Sequence, residues 1–116
     1  WLDCGNKNAT IHTNRRILDF AKNGSLIANN LNQKNSIIIQ PCYIGKNVTI
    51  TGSIVGPHVS IGEGSVMSNC IISNSIIQSH CKISNANIDN SMVGNFVEYS
   101  EKYKELNIGD FTVIVQ

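Results

Sequence analysis

The stretch that decides the fold runs from residue 44 to residue 66. It reads Ile44-Gly45-Lys46-Asn47-Val48-Thr49, then Ile50-Thr51-Gly52-Ser53-Ile54, then Val55-Gly56-Pro57-His58-Val59-Ser60, then Ile61-Gly62-Glu63-Gly64-Ser65-Val66. An aliphatic residue opens each block, and a small or aliphatic residue follows four places later. Ile38 with Cys42 begins the series, and Ile72 with Ile76, Ile77 with Cys81, Ile88 with Met92 and Val93 with Val97 continue it. Helical periodicity does not produce such a pattern. Gly at 45, 52, 56, 62 and 64, Pro57 and the many β-branched residues disfavour helix interiors and favour short strands joined by turns.

A second period checks the first. Ser53-Ile54-Val55, Cys70-Ile71-Ile72 and Ala86-Asn87-Ile88 recur at intervals of 17 and 16, and Ser75-Ile76-Ile77 returns as Ser91-Met92-Val93 after 16. Three blocks therefore make one coil, each strand lying over its equivalent one coil away with the aliphatic residues forming an inner column. Composition fits that geometry. The chain has 116 residues, with 18 Ile for the column and 16 Asn and 12 Ser for the corners, where Asn tolerates left-handed backbone and can bond locally or between coils. Asn69, Asn74, Asn85, Asn90 and Asn95 are the expected corner residues.

The repeat resembles the hexapeptide motif of left-handed parallel β-helices, over roughly half of the chain, with several five-residue blocks that imply a tightened coil. Left-handedness comes from this resemblance, since isolated crossovers are right-handed. The expected fold is mainly β, a left-handed parallel β-helix preceded by one α-helix. Beyond Glu98 the phase is lost in Tyr99-Ser100-Glu101-Lys102-Tyr103-Lys104-Glu105, read as a charged loop capping the solenoid. Ile108-Gly109-Asp110-Phe111-Thr112-Val113 then reads as one more block and a final strand.

Upstream the grain changes. Seven of the first 34 residues are charged but only five of the next 64, which divides the chain into 1–34 and 35–116. Asn6 or Asn8 is placed to cap a helix over about residues 7–22, with Ile11, Ile17, Leu18 and Ala21 along its apolar stripe and Asn23-Gly24 ending it. Arg15 and Arg16 fall on its solvated side, and His12 on its surface.

Charge and hydropathy exclude whole classes. Nine Lys and Arg against eight Asp and Glu leave a net charge of +1 and no basic cluster beyond Arg15-Arg16, which excludes nucleic acid as a partner. Runs such as Ile37-Ile38-Ile39 are far too short for a membrane span. Cys4, Cys42, Cys70 and Cys81 form no Cys-x-x-Cys pair, so zinc knuckles and thioredoxin-type redox motifs are excluded, and free buried thiols are expected. With no leader ahead of Trp1, the expected location is the cytoplasm, and the start on Trp1 reads as a cut in a longer protein.

The opening residues carry the chemistry. Trp1-Leu2-Asp3-Cys4-Gly5-Asn6, followed by Ala9, Asn14 and Leu18, is similar to the end of the catalytic domain of sugar-1-phosphate nucleotidyltransferases of the glucose-1-phosphate thymidylyltransferase type. These show Trp-x-Asp-x-Gly-Thr, a short helix with an Asn and, in many members, a C-terminal hexapeptide β-helix. The resemblance implies that in the full-length parent Asp3 ligates Mg²⁺, and that Gly5 lets the backbone approach the sugar phosphate. Nucleoside triphosphate and sugar 1-phosphate would be the parent's substrates. Asn6 stands where the family has Thr, so no side-chain role transfers there. The Gly-rich nucleotide loop and the second metal carboxylate are not in this sequence. The 116-residue chain by itself is therefore expected to bind no cofactor and to catalyse no transfer.

Two other functions compete. Many left-handed β-helices are acyltransferases that take acyl groups from coenzyme A with a His general base. His58 and His80 are the candidate bases here, although His58, following Pro57 in a turn, reads as an exposed corner residue and His80 occupies the equivalent place in its block. The third function is assembly. Outward positions such as Thr49, Thr51, Ser60, Ser68, Ser73 and Ser84 leave weakly charged faces suited to packing as a homo-oligomer.

Overall fold

Aliphatic side chains spaced one coil apart stack only if the coils are in register, and strand pairing fixes that register. The computed structural model describes residues 6–21, 26–102, 105–111 and 113–115. Helix α1 (Lys7–Phe20) comes first. The first coil is β1 (Leu26–Ile27), β2 (Asn32–Lys34) and β3 (Ile37–Ile38), and the second is β4 (Cys42–Ile44), β5 (Thr49–Thr51) and β6 (Ile54–Val55). β7 (Val59–Ile61), β8 (Val66–Ser68) and β9 (Ile71–Ser73) make the third, and β10 (Ser75–Ile77), β11 (Lys82–Ser84) and β12 (Asn87–Asp89) the fourth. β13 (Met92–Val93) and β14 (Glu98–Ser100) open a fifth.

Every pairing is parallel and joins a strand to its equivalent in the next coil, giving a first face β1-β4-β7-β10-β13, a second β14-β11-β8-β5-β2 and a third β12-β9-β6-β3. The chain is a left-handed parallel β-helix preceded by one α-helix. Pairing begins at Leu26, ahead of the change of composition at residues 34 and 35. The registers Cys42 to Val59 and Val59 to Ser75 show the coil shortening from 17 to 16 residues.

The shortening has one location. At the edge between the first and second faces the small inward residue comes four places after the aliphatic one, as in Ile44 with Val48 and Ile77 with Cys81, all buried. At the edge between the third and first faces the early coils do the same, as in Val55 with Val59, but Ile72 is followed by buried Ser75 only three places later. The expected partners of Ile72 and Ile88, Ile76 and Met92, are therefore corrected. Both are only half-buried and lie on the outer surface of the first face. The core is Ile44, Ile50, Ile61, Met67, Ile72, Ile77 and Ile83 with smaller residues between them, and Cys42, Cys70 and Cys81 are free thiols within it.

Corner residues follow the chemistry of the left-handed region. Asn69, Asn74, Asn85 and Asn90 have φ between 47° and 55° as expected, but at the next corner the left-handed residue is Phe96 (φ 59°), not Asn95. Asn95 instead accepts the Ser79 N–H at 2.9 Å, a bond between coils. Gly56, at φ 109°, is glycine of necessity, since a Cβ there would run into the Ile39 carbonyl.

Two further expectations change. Helix α1 is shorter than 7–22, with Ala21 at its C-cap, and Ile17 is 58% exposed while Ile11 and Leu18 carry the burial. Asn6 is the N-cap, but its side chain makes no capping bond. At the other end, Tyr99 and Ser100 still pair with Ile83 and Ser84, so the coil outlasts Glu98. The block from Ile108 forms no strand, and every described residue from Glu105 to Val115 is exposed.

Candidate functional site

The sequence-predicted site divides into residues outside the described structure and residues inside it. Asp3 and Gly5, with Cys4, lie outside the described residues. His58 and His80 lie inside. Both hold left-handed backbone, at φ 63° and 58°, yet they occupy different edges of the prism. His58 sits between the third and first faces, and His80 between the first and second.

His58 is not an exposed corner residue. Its Nε2 lies 2.7 Å from Asp19 Oδ1 near the end of α1, and its side chain is only 13% exposed. Further bonds run along the same seam, among them one from Asn90 Nδ2 to Asn8 Oδ1 at 3.4 Å. Ser60 donates its hydroxyl to Asn14 Oδ1 at 2.7 Å, and Lys7 Nζ donates to the Asn90 carbonyl at 2.9 Å. Between these polar contacts Ile11 and Leu18, each no more than 3% exposed, seal the helix against the first face. The helix thus runs antiparallel to the advance of the coils, its start beside Asn90 and its end beside His58.

This seam is the candidate site. A cavity of about 270 Å³ lies along it, lined by Asn8, Ile11, His12, Arg15, Asn74 and Asn90. On the other flank a more open groove is lined by Thr10, Thr13, Asn14, Ile17 and Ile76. Among the described residues, Asn74 Oδ1 and Asn14 Nδ2 are buried side-chain atoms without a hydrogen-bond partner, and they belong to these two flanks. Chemically, a carboxylate on an imidazole fixes the ring's orientation. Here it also ties a helix to a corner.

His80 does something else. Its ring stacks on Phe96 one coil below, with centroids 5.1 Å apart, and a Cβ at Gly64 one coil above would meet the His80 ring. It is a rung in a corner column.

Cys42, Cys70 and Cys81 are buried free thiols. Burial pushes the Cys42 thiol up from the ordinary 9.0, with the Val59 backbone opposing, and burial likewise raises Cys70. A raised pKa leaves less thiolate, the nucleophilic form. Among the described residues no group of three or more His, Cys, Asp or Glu converges where a metal ion could sit. No helix among them is long and apolar enough to cross a membrane.

Sequence reasoning missed Asp19 and Asn14 as partners of the solenoid. Their contacts span 39 and 46 residues, and no local pattern signals them. It also missed the inward serines, although a signal existed in the 17-residue spacing of Ser36, Ser53 and Cys70. Compared with family models, with curated proteins and with solved structures, the chain has no match in any of the three.

Proposed function

We propose that this chain is the C-terminal portion of a sugar-1-phosphate nucleotidyltransferase, in which the β-helix serves assembly or regulation and the chemistry belongs to a domain ahead of it. The reading rests on order: the Trp1-Leu2-Asp3-Cys4-Gly5 motif, then one helix, then a left-handed β-helix. The observation that carries it is the seam. The helix that directly follows the motif in sequence packs on the first face through Ile11 and Leu18 and meets the coils at Asn90, Ser60 and His58.

In that parent, Mg²⁺ would neutralise the phosphate oxygens brought together in an in-line displacement. Asp3 would be one oxygen ligand, and magnesium takes few protein carboxylates, the rest being water and phosphate. The described residues offer no converging acidic set to complete such a site, so the remaining ligands would come from another segment. Gly5 would let the backbone approach the sugar phosphate. Pyrophosphate release tests the reading: the 116-residue chain is expected to release none from a nucleoside triphosphate and a sugar 1-phosphate. Release by the chain alone would overturn it.

The His58–Asp19 pair favours a second reading, an acyltransferase with His58 as general base. A base held by a carboxylate is oriented for proton abstraction. Against it, Nε2 is committed to the helix and the side chain is largely covered. Saturable coenzyme A binding that is lost in His58→Gln would decide for the acyltransferase.

A further inference from the structure

The solenoid is open below its last coil. Beyond β12, β13 and β14 no further strand follows among the described residues, and a cavity of about 300 Å³ reaches into the core between Ile83, Ile88, Val93, Val97 and Tyr99. Unpaired strand edges over exposed apolar side chains are a template for another strand.

The chain itself carries a segment of matching pattern. Moved on by a constant interval, Val93-Gly94-Asn95-Phe96 becomes Ile108-Gly109-Asp110-Phe111, and Tyr99, the register partner of buried Ile83, becomes Ile114. Backbone conformation agrees with the sequence: Phe111 stands at φ 60°, beside 59° for Phe96 and 58° for His80. Phe111 would add a third ring to the column in which His80 stacks on Phe96.

Nevertheless the segment stands away from its own solenoid, with Phe111, Val113 and Val115 almost wholly exposed. The chain path explains this. From Ser100 to Ile108 is one residue shorter than the equivalent path from Ser84 to Val93, and where earlier coils place inward Ile72 and Ile88 the count arrives at Lys104. A charged residue is disfavoured at such an inward position, so the sequence offers a further strand of the third face no equivalent of Ile72 and Ile88.

We propose that residues 106–115 add as a strand-turn-strand layer to the open end of a second copy of this chain, each copy capping the other. The inference rests on the assembly role proposed above and names its surface, independently of any reaction.

Light scattering and sedimentation over a range of concentrations test it, on the full chain, on a chain ending at Glu105, and on an Ile108→Asp/Ile114→Asp variant. Both side chains are exposed, so neither substitution unfolds the solenoid, and amide protection in β7 and β8 verifies this. The full chain is expected to dimerise, the double variant to dimerise at least about tenfold more weakly, as loss of two buried aliphatic contacts requires, and the truncated chain to be a monomer. A single-chain mass at every concentration overturns the proposal, including one in which the segment gains amide protection by seating on its own end. A dimer that survives truncation also overturns it, while leaving an assembly role at another face intact.

Discussion

Buried serines hold the coils together at the residue scale. Ser53 Oγ accepts the Cys70 N–H at 2.9 Å and donates to the Thr51 carbonyl at 2.9 Å. Ser65 does the same with Cys81 and Gln78, and Ser75 with Ser91 and Ser73. Each hydroxyl therefore satisfies a backbone donor of the next coil at a corner where the ladder is interrupted. Ser53→Ala would remove only one oxygen, but it strands a buried N–H, and the expected cost is about 1–3 kcal/mol, measured by chemical denaturation. The thiols give a second residue-scale prediction. Burial raises Cys42 and Cys70 above 9.0, so their folded forms hold protons that the unfolded chain gives up sooner. Their contribution to stability is full below the unfolded value of 9.0 and is lost as pH rises through the folded values. Denaturation midpoints should be lower above pH 9 than at neutrality, and less so when Cys42 and Cys70 are both replaced by Ala. An unchanged slope in that variant would contradict the assignment.

Among elements, the helix is the one whose position depends on contacts that sequence patterns do not encode. Leu18 is 2% exposed, whereas Asp19 is 56% exposed on its side chain. Magnitudes decide which of the two holds α1 down: losing a buried leucine costs about 2–5 kcal/mol, while an exposed ion pair contributes at most about 1 kcal/mol. Leu18→Ala should therefore release the helix, seen as faster amide exchange across Lys7–Phe20 with the inner strands still protected, and Asp19→Asn should change exchange only slightly. Equal effects would mean the polar seam does the holding. The strands, by contrast, were legible residue by residue. Ile38, Ile44, Ile50, Val55, Ile61 and Ile72 announce the column, and the intervals of 17 and 16 reproduce the observed registers. What misled the reading were positions where a corner loses a residue, as after Ile72 and Ile88, because a shortened turn keeps its sequence grain while rotating the next side chain outward. The last block misled it in another way: Ile108-Gly109-Asp110-Phe111 repeats the sequence of the corner Val93-Gly94-Asn95-Phe96, yet its described residues are exposed.

At the scale of the whole molecule, the coils bury Cys42, Cys70 and Cys81, set His58 against a helix and stack His80 on Phe96. The residues that point to catalysis, Asp3 and Gly5, come before the helix and were legible only through their motif. Among the described residues no acidic set converges, and a lone carboxylate does not hold Mg²⁺ and a triphosphate in register. The most direct test is therefore pyrophosphate release, measured with nucleoside triphosphate, sugar 1-phosphate and Mg²⁺ on a polypeptide that joins this chain to the catalytic domain proposed to precede it, in wild-type and Asp3→Ala forms, alongside the 116-residue chain. The account predicts release by the longer polypeptide, a loss of about a hundredfold or more in Asp3→Ala, as removal of a charge-stabilising group at the reacting centre gives, and none by the 116-residue chain. Release by that chain alone, or a longer polypeptide that releases none and instead consumes an acyl-coenzyme A, would contradict it.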